Sequence, residues 1–232
     1  MPRTAVRPRF DNVGDVLERL GGIDPKRVRA DVPFGKATES DLIRLLEGPK
    51  RLYELVDGVL VEKIMGVEES FLALYLARLI GNFADEHCLG FLTGEAGAIR
   101  TIALQVRMPD IAFISWNRVP VRERIPKEKI LSLVPDLAVE VLSEGNTPAE
   151  MQRKLKEYFL AGVPLVWFVD PRERTVEVFT APDQSTVLAE SDILSGANVL
   201  PGFSLPVKQI FKNIEPETKP SRTRARGKKR KK

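Results

Sequence analysis

"VPDLAVEVLSEGNTPAEMQRKLKEYFLAGVPLVWFVD", residues 134–170, contains three elements in a telling order. "DLAVEVL" is a short apolar run of the kind that forms a strand buried on both faces. "NTPAEMQRKLKEYFLAGV" is a helix with marked ends: Asn146 or Thr147 caps it, Pro148 suits its first turn and Gly162 stops it. "LVWFVD" is another strand. A strand, a crossover helix and a strand imply a mixed sheet flanked by helices. One residue resists the pattern. Glu140 lies inside the first strand, where a carboxylate is costly to desolvate unless a partner compensates it.

Upstream, "GFLTGEAGAIRTI" and "VRMPDIAFISW" join "PDLAVEVLS" as three strand-like runs punctuated by Gly and Pro. They follow "EESFLALYLARLIGNFADEH", whose Phe71, Leu72, Leu74, Tyr75, Leu79 and Phe83 form a broad apolar helical face. "RLYELVDGVLVEKI" reads as a hairpin about Asp57-Gly58. Two shorter helices precede it, in "VGDVLERLGGI" and in "TESDLIRLLEG", the latter with Thr38 or Ser40 as N-cap and Gly48 as stop. Downstream, "TVEVFT" follows a turn at Pro171-Arg172, and "SDILSGANVLPGFSLPVKQIF" supplies short pieces that close the domain. The expected organisation is a helical extension over 1–49, one α/β domain over 50–214 and a tail over 215–232.

At 43% hydrophobic and 29% charged, the 232 residues suffice for a sizeable core. The net charge of +4 is misleading, because nine Lys or Arg and no acid lie between Lys219 and Lys232. Without those nine, 27 basic residues stand against 32 acidic, so the body carries about −5. The tail's composition is that of a disordered segment. Arg222, Arg224, Arg226, Lys228, Lys229 and Arg230 suit non-specific phosphate contact, and equally a solubilising or targeting role. Arg118, Arg122, Arg124, Lys127 and Lys129 make a second basic stretch between the strands.

Cys88 is the only cysteine and His87 the only histidine, which argues against a disulfide framework, a Cys- or His-based metal site and a Ser-His-Asp triad. The pair reads as the end of a helix. No apolar run approaches the roughly 18 residues of a membrane span, and "MPRTAVRPRF" lacks a signal peptide's apolar stretch. A cytoplasmic protein without a membrane partner is expected.

Asp110, after Pro109 at the head of "IAFIS", and Glu140 are both acids in apolar strands. If the strands are neighbours, both carboxylates can enter one cleft, where they repel unless a cation or shared proton intervenes. Oxygen ligands without histidine suit Mg²⁺ or Mn²⁺. On the next helix Lys154 and Lys156 flank Leu155 on opposite sides, and either reaches toward a cleft at the sheet edge. Each acid also has a plain structural reading, as a turn-former or as half of an ion pair.

"YELVDGVLVEK", "RMPDIAFISW", "PDLAVEVLSEGNTPAE" and "KLKEYFLAGVPLVWFVDP" closely resemble the signature segments of the putative restriction endonuclease family, within the PD-(D/E)XK nuclease superfamily. The resemblance covers about residues 50–180 and, more weakly, continues through 206. It implies a restriction-endonuclease-like core ordered helix-strand-strand-strand-helix-strand, the order read above from the residues alone. Carried over by position, Asp110 is the motif aspartate and Glu140 the second acid. The lysine usually found two residues later is replaced by Leu142, and the resemblance moves that role to Lys154, with Lys156 as fallback. Relatives carry a His near the start of the long helix; here Glu68 or Glu69 stands in that region. Glu54 and Asp57 match the hairpin segment and are read as structural, Glu54 with an accessory role open.

The implied activity is metal-assisted phosphodiester hydrolysis of nucleic acid, DNA first. Asp110, Glu140 and the Val141 carbonyl would hold Mg²⁺ or Mn²⁺, and a homodimer is in keeping with the superfamily. Two other readings stand beside it. One is a nucleic-acid-binding module on a nuclease fold that no longer cuts. The other is a structural or interaction protein whose strand acids merely form ion pairs.

Overall fold

The structure, a computed structural model, describes residues 7–48, 51–121 and 124–214. The tail, with its six named basic residues, lies outside the described residues, as does Arg122.

The chain begins with α1 (Val13–Arg19), capped by the Asn12 side chain, which accepts from the Asp15 backbone N–H. A 3₁₀ turn (Pro25–Arg27) leads to α2 (Glu39–Leu46), where Thr38 and Asp41 form a reciprocal capping box. Next come β1 (Leu52–Val56) and β2 (Val59–Lys63), antiparallel about the two-residue turn Asp57-Gly58. Both turn residues take positive φ, +52° and +74°, as this kind of hairpin requires. Gly58 has a second constraint: a Cβ there would come within 2.6 Å of the Gly35 carbonyl.

The long helix is α3 (Val67–Glu86). After it come β3 (Gly90–Gly94), β4 (Ile99–Arg100), β5 (Gln105–Arg107), β6 (Ile111–Ser115) and β7 (Leu137–Val141). Thr147 caps α4 (Pro148–Ala161), and Gly162 ends it in the left-handed region. The remaining elements are β8 (Leu165–Asp170), β9 (Thr175–Ala181), β10 (Gln184–Leu188), β11 (Ile193–Ser195), β12 (Ser204–Pro206) and α5 (Val207–Ile210).

The main sheet has six strands in the order β10-β9-β8-β7-β6-β3. Only β7 and β8 run parallel, joined by α4, so α3-β3-β6-β7-α4-β8 is the expected nuclease core in its expected order. The two helices cover opposite faces. Leu137, Val139 and Val141 pack with Leu72, Leu76 and Ile80 of α3. Ala138 packs with Met151, Leu155 and Tyr158 of α4. The pleat therefore turns Glu140 toward α4.

Two details depart from expectation. The first two strand runs are each divided: β4 and β5 leave the main sheet and join the hairpin in a second sheet, ordered β2-β1-β5-β4. Pro109, which has no N–H to offer a ladder, marks the break between β5 and β6. β10 was not anticipated either; its residues are mostly exposed and show no apolar alternation.

The N-terminal residues pack onto the hairpin, with Val16, Leu20 and Ile23 against Val56, Val59 and Val61. Arg27 donates two hydrogen bonds to Glu150, 3.0 and 2.7 Å long, in a buried pair that ties this segment to α4.

Candidate active site

The antiparallel register of β6 and β7 pairs Ile111 with Val139. One step further along that register, Asp110 stands opposite Glu140, so the two side chains project from the same face. Both residues are buried, at 3% and 4% exposure. Asp110 Oδ2 accepts from the Val141 N–H at 2.6 Å, which fixes the carboxyl against the end of β7. Its Oδ1 is buried and receives no directed hydrogen bond from the described residues. The Lys63 ammonium lies 2.6 Å from that oxygen, a charge contact with poor hydrogen-bond alignment.

α4 supplies the groups around Glu140. The Lys154 ammonium is 3.2 Å from each Glu140 oxygen and 3.3 Å from Glu54 Oε1. Tyr158, one helical turn on, donates to Glu140 Oε1 at 2.5 Å. The helix periodicity that buries Lys154 leaves Lys156 exposed, so only the former lysine reaches the acids.

Glu54 comes from the second sheet. The β1–β5 register, Leu55 with Val106, carried one step further sets Glu54 opposite Arg107. Arg107 donates to Glu54 at 2.8 Å, and Glu54 also takes the Met108 N–H at 3.0 Å. A chain of ion pairs continues outward: Arg107 to Glu157 (2.6 Å), Glu157 to Arg153 (2.7 Å) and Arg153 to Asp57 (2.8 Å). Acids and bases alternate from the cleft to the hairpin turn, so each buried charge has a partner of opposite sign.

The electrostatic consequences differ between members. Burial drives the Glu140 carboxyl above its ordinary range; Lys154 and Lys63 oppose that rise, and Asp110 and Glu54 add to it. Burial alone would lower the Lys154 ammonium, but Glu140 and Glu54 outweigh it and hold it above its ordinary value. At Lys154 the two carboxylates outweigh burial, whereas at Glu140 burial, joined by Asp110 and Glu54, outweighs the two ammonium groups. Burial also works to raise Glu54, yet Lys154, Arg107 and Lys63 keep it below the usual carboxylate range. Burial and then Glu140 push the Tyr158 phenol well up, so it stays neutral and donates.

The cleft is lined by Asp110, Glu140, Val141, Lys154, Lys63 and Glu69, together with Arg27, Asn146 and Ser143. Glu69 is half-buried there. Glu68 is exposed and lines an adjoining depression with Ser143 and Glu144. The basic stretch before β7 is partly paired off: Arg118 donates to Asp136 at 2.6 Å, and Lys129 contacts Glu47.

Three members of the cluster have no counterpart among the candidates read from the sequence: Lys63, Arg107 and Tyr158. For Lys63 a signal existed. The two-residue turn sets Leu52 against Lys63 and Glu54 against Val61, placing Lys63 and Glu54 on one face of the hairpin. Glu54, read from the hairpin segment with an accessory role open, stands inside the cluster.

A family described as "Uma2: Putative restriction endonuclease" matches residues 40–208. Among solved structures, one described as a putative nuclease belonging to DUF820, from Anabaena variabilis ATCC 29413, is similar in fold. The TM-score is 0.64 at 20% identity, over 74% of this chain and 97% of that one. No curated protein matches the chain. The chain belongs to the Uma2 family.

Proposed function

We propose that this family member is an endonuclease that uses Mg²⁺ or Mn²⁺ to hydrolyse phosphodiester bonds in DNA. The observation that carries the reading is Asp110 opposite Glu140, with one buried Asp110 oxygen lacking a directed donor and the Lys154 ammonium alongside. The donor set fits a hard cation. Among the described residues no group of three or more His, Cys, Asp or Glu is placed so as to hold a metal ion. Two carboxylates and the Val141 carbonyl suit an ion that keeps several of its waters. Burial, joined by Asp110 and Glu54, raises the Glu140 pKa, and a further cation beside the carboxyl would oppose that rise.

Asp110, Glu140 and the Val141 carbonyl would hold the ion, which when bound polarises a phosphate and makes bound water more acidic. Lys154 stays protonated between its two carboxylates, so it serves as a fixed positive charge for the developing phosphorane and not as a proton acceptor. Tyr158 holds Glu140 Oε1 by its hydroxyl and fixes how the carboxyl is presented.

A second reading draws on the same ion pairs. Lys63 and Lys154 compensate both acids without a metal, as a nuclease fold that binds nucleic acid or a partner without cutting requires. Cleavage of plasmid DNA in Mg²⁺ by the wild type and by Asp110→Ala, Glu140→Ala and Lys154→Ala separates the two. The nuclease reading expects each substitution to slow cleavage by about 100-fold or more. Equal cleavage by all four proteins refutes the assigned site, and no cleavage by the wild type favours the second reading.

A further inference from the structure

Lys63 is the unexplained member of the cleft. It is the last residue of β2, and the hairpin register aims it at the same face as Glu54. Its side chain is only 7% exposed, and its ammonium contacts Asp110 Oδ1 and the Met108 carbonyl. Both contacts lie in the Met108-Pro109-Asp110 segment that carries the chain from one sheet to the other.

Lys63 and Lys154 are held differently. Lys154 sits between two carboxylates, Glu140 and Glu54, and is buried in the α4 wall. Among the described residues Lys63 forms an ion pair with one carboxylate, Asp110, and meets the oxygen that no directed hydrogen bond satisfies. The other Asp110 oxygen is committed to the Val141 N–H. Oδ1 is thus the Asp110 oxygen available to a metal, and an ammonium already sits against it. Two cations cannot share that oxygen at contact distance without strong repulsion. A lysine ammonium on a four-carbon stem can swing where a shorter or planar group cannot.

We propose that Lys63 is a resident counter-ion of Asp110 that yields the carboxylate to a divalent ion and turns its ammonium to the substrate's phosphodiester. This rests on the nuclease reading above. Without metal, Lys63 balances the Asp110 charge and keeps a buried carboxylate from standing alone. When the ion takes Oδ1, the displaced ammonium loses its ion pair with Asp110, and an anionic substrate supplies a new one. Metal and nucleic acid then favour each other's binding through one side chain.

The test is calorimetric titration of Mn²⁺ into the DNA-free protein, comparing the wild type with Lys63→Met and Lys63→Arg. Removing the competing charge should tighten Mn²⁺ binding by about tenfold in Lys63→Met. Lys63→Arg, which retains the charge, should bind Mn²⁺ close to the wild-type level. In DNA cleavage at saturating Mn²⁺, Lys63→Met should raise KM by about tenfold, from loss of one phosphate contact, with the smaller change in kcat. Thermal melting guards against misfolding: Lys63→Met should melt lower than the wild type without metal and gain more from added Mn²⁺. Unchanged or weaker Mn²⁺ binding by Lys63→Met, beside measurable wild-type binding, overturns the counter-ion role and leaves the metal site standing. No Mn²⁺ binding by any of the three proteins overturns both.

Discussion

The pair Pro-Asp occurs at both ends of the β6–β7 ladder, as Pro109-Asp110 before β6 and Pro135-Asp136 before β7. One oxygen of each aspartate does the same job. Asp136 accepts the Ser115 N–H at 2.8 Å and Asp110 accepts the Val141 N–H at 2.6 Å, so each fastens the end of the neighbouring strand. The second oxygen separates them. That of Asp136 meets the half-buried Arg118, and the register sets the apolar Ile114 opposite the residue. That of Asp110 is buried, lacks a directed donor and shares its face with Glu140. The same dipeptide closes a turn at one end and builds an acid pair at the other. What decides is the residue across the ladder, together with the depth of burial.

The comparison breaks most severely if the buried end loses its cation. Lys154→Met removes the ammonium from between Glu140 and Glu54 and takes from the buried Glu140 its ion-pair partner, and should cost about 3–5 kcal/mol of stability in urea unfolding at pH 7. A loss below about 1 kcal/mol would mean that the carboxylates are compensated from elsewhere.

The next effect comes from Glu54, whose carboxyl is held low by Lys154, Arg107 and Lys63 against the effect of burial. Because its folded pKa lies below its unfolded one, it contributes stability above the ordinary glutamate value of about 4.3. That contribution is lost as pH falls further. Glu54→Gln should therefore be destabilised by about 2 kcal/mol at pH 7, and its deficit relative to wild type should narrow as pH is lowered below about 4. A deficit independent of pH would contradict the charge-based account.

The smallest effect belongs to the less buried end. Asp136→Asn should cost about 1 kcal/mol and leave DNA cleavage within about twofold of wild type. A large loss of cleavage there would erase the contrast between the two Pro-Asp pairs.

Local physics made much of this fold legible. The capping box at Thr38, the Asp57-Gly58 turn, Thr147 with Pro148, and Gly162 each act within a few residues of the chain, and each reads directly from the sequence. The division of the strand runs was less visible, because it depends on where β4 and β5 find partners. Pro109 was the local sign of a break.

At the site, Asp110 and Glu140 stood out as acids in apolar strands, and the structure brings both together with Lys154. Helical spacing alone left Lys154 and Lys156 equivalent; packing of α4 on the sheet buries one and exposes the other. The Glu54–Arg107 pair was hidden because it joins residues 53 apart in sequence, through a strand pairing with no local signature. Lys63 was within reach of a register count from the hairpin turn, since a two-residue loop fixes which residues share a face.

The central claim is that the Asp110–Glu140 pair works through its negative charge. The most direct test is the Mg²⁺-dependent rate of DNA cleavage by wild type and by Glu140→Gln, which keeps the side chain's size and removes its charge. Cleavage that is abolished by chelation in the wild type and reduced by about 100-fold or more in Glu140→Gln is the predicted result. Equal rates for the two proteins would contradict it.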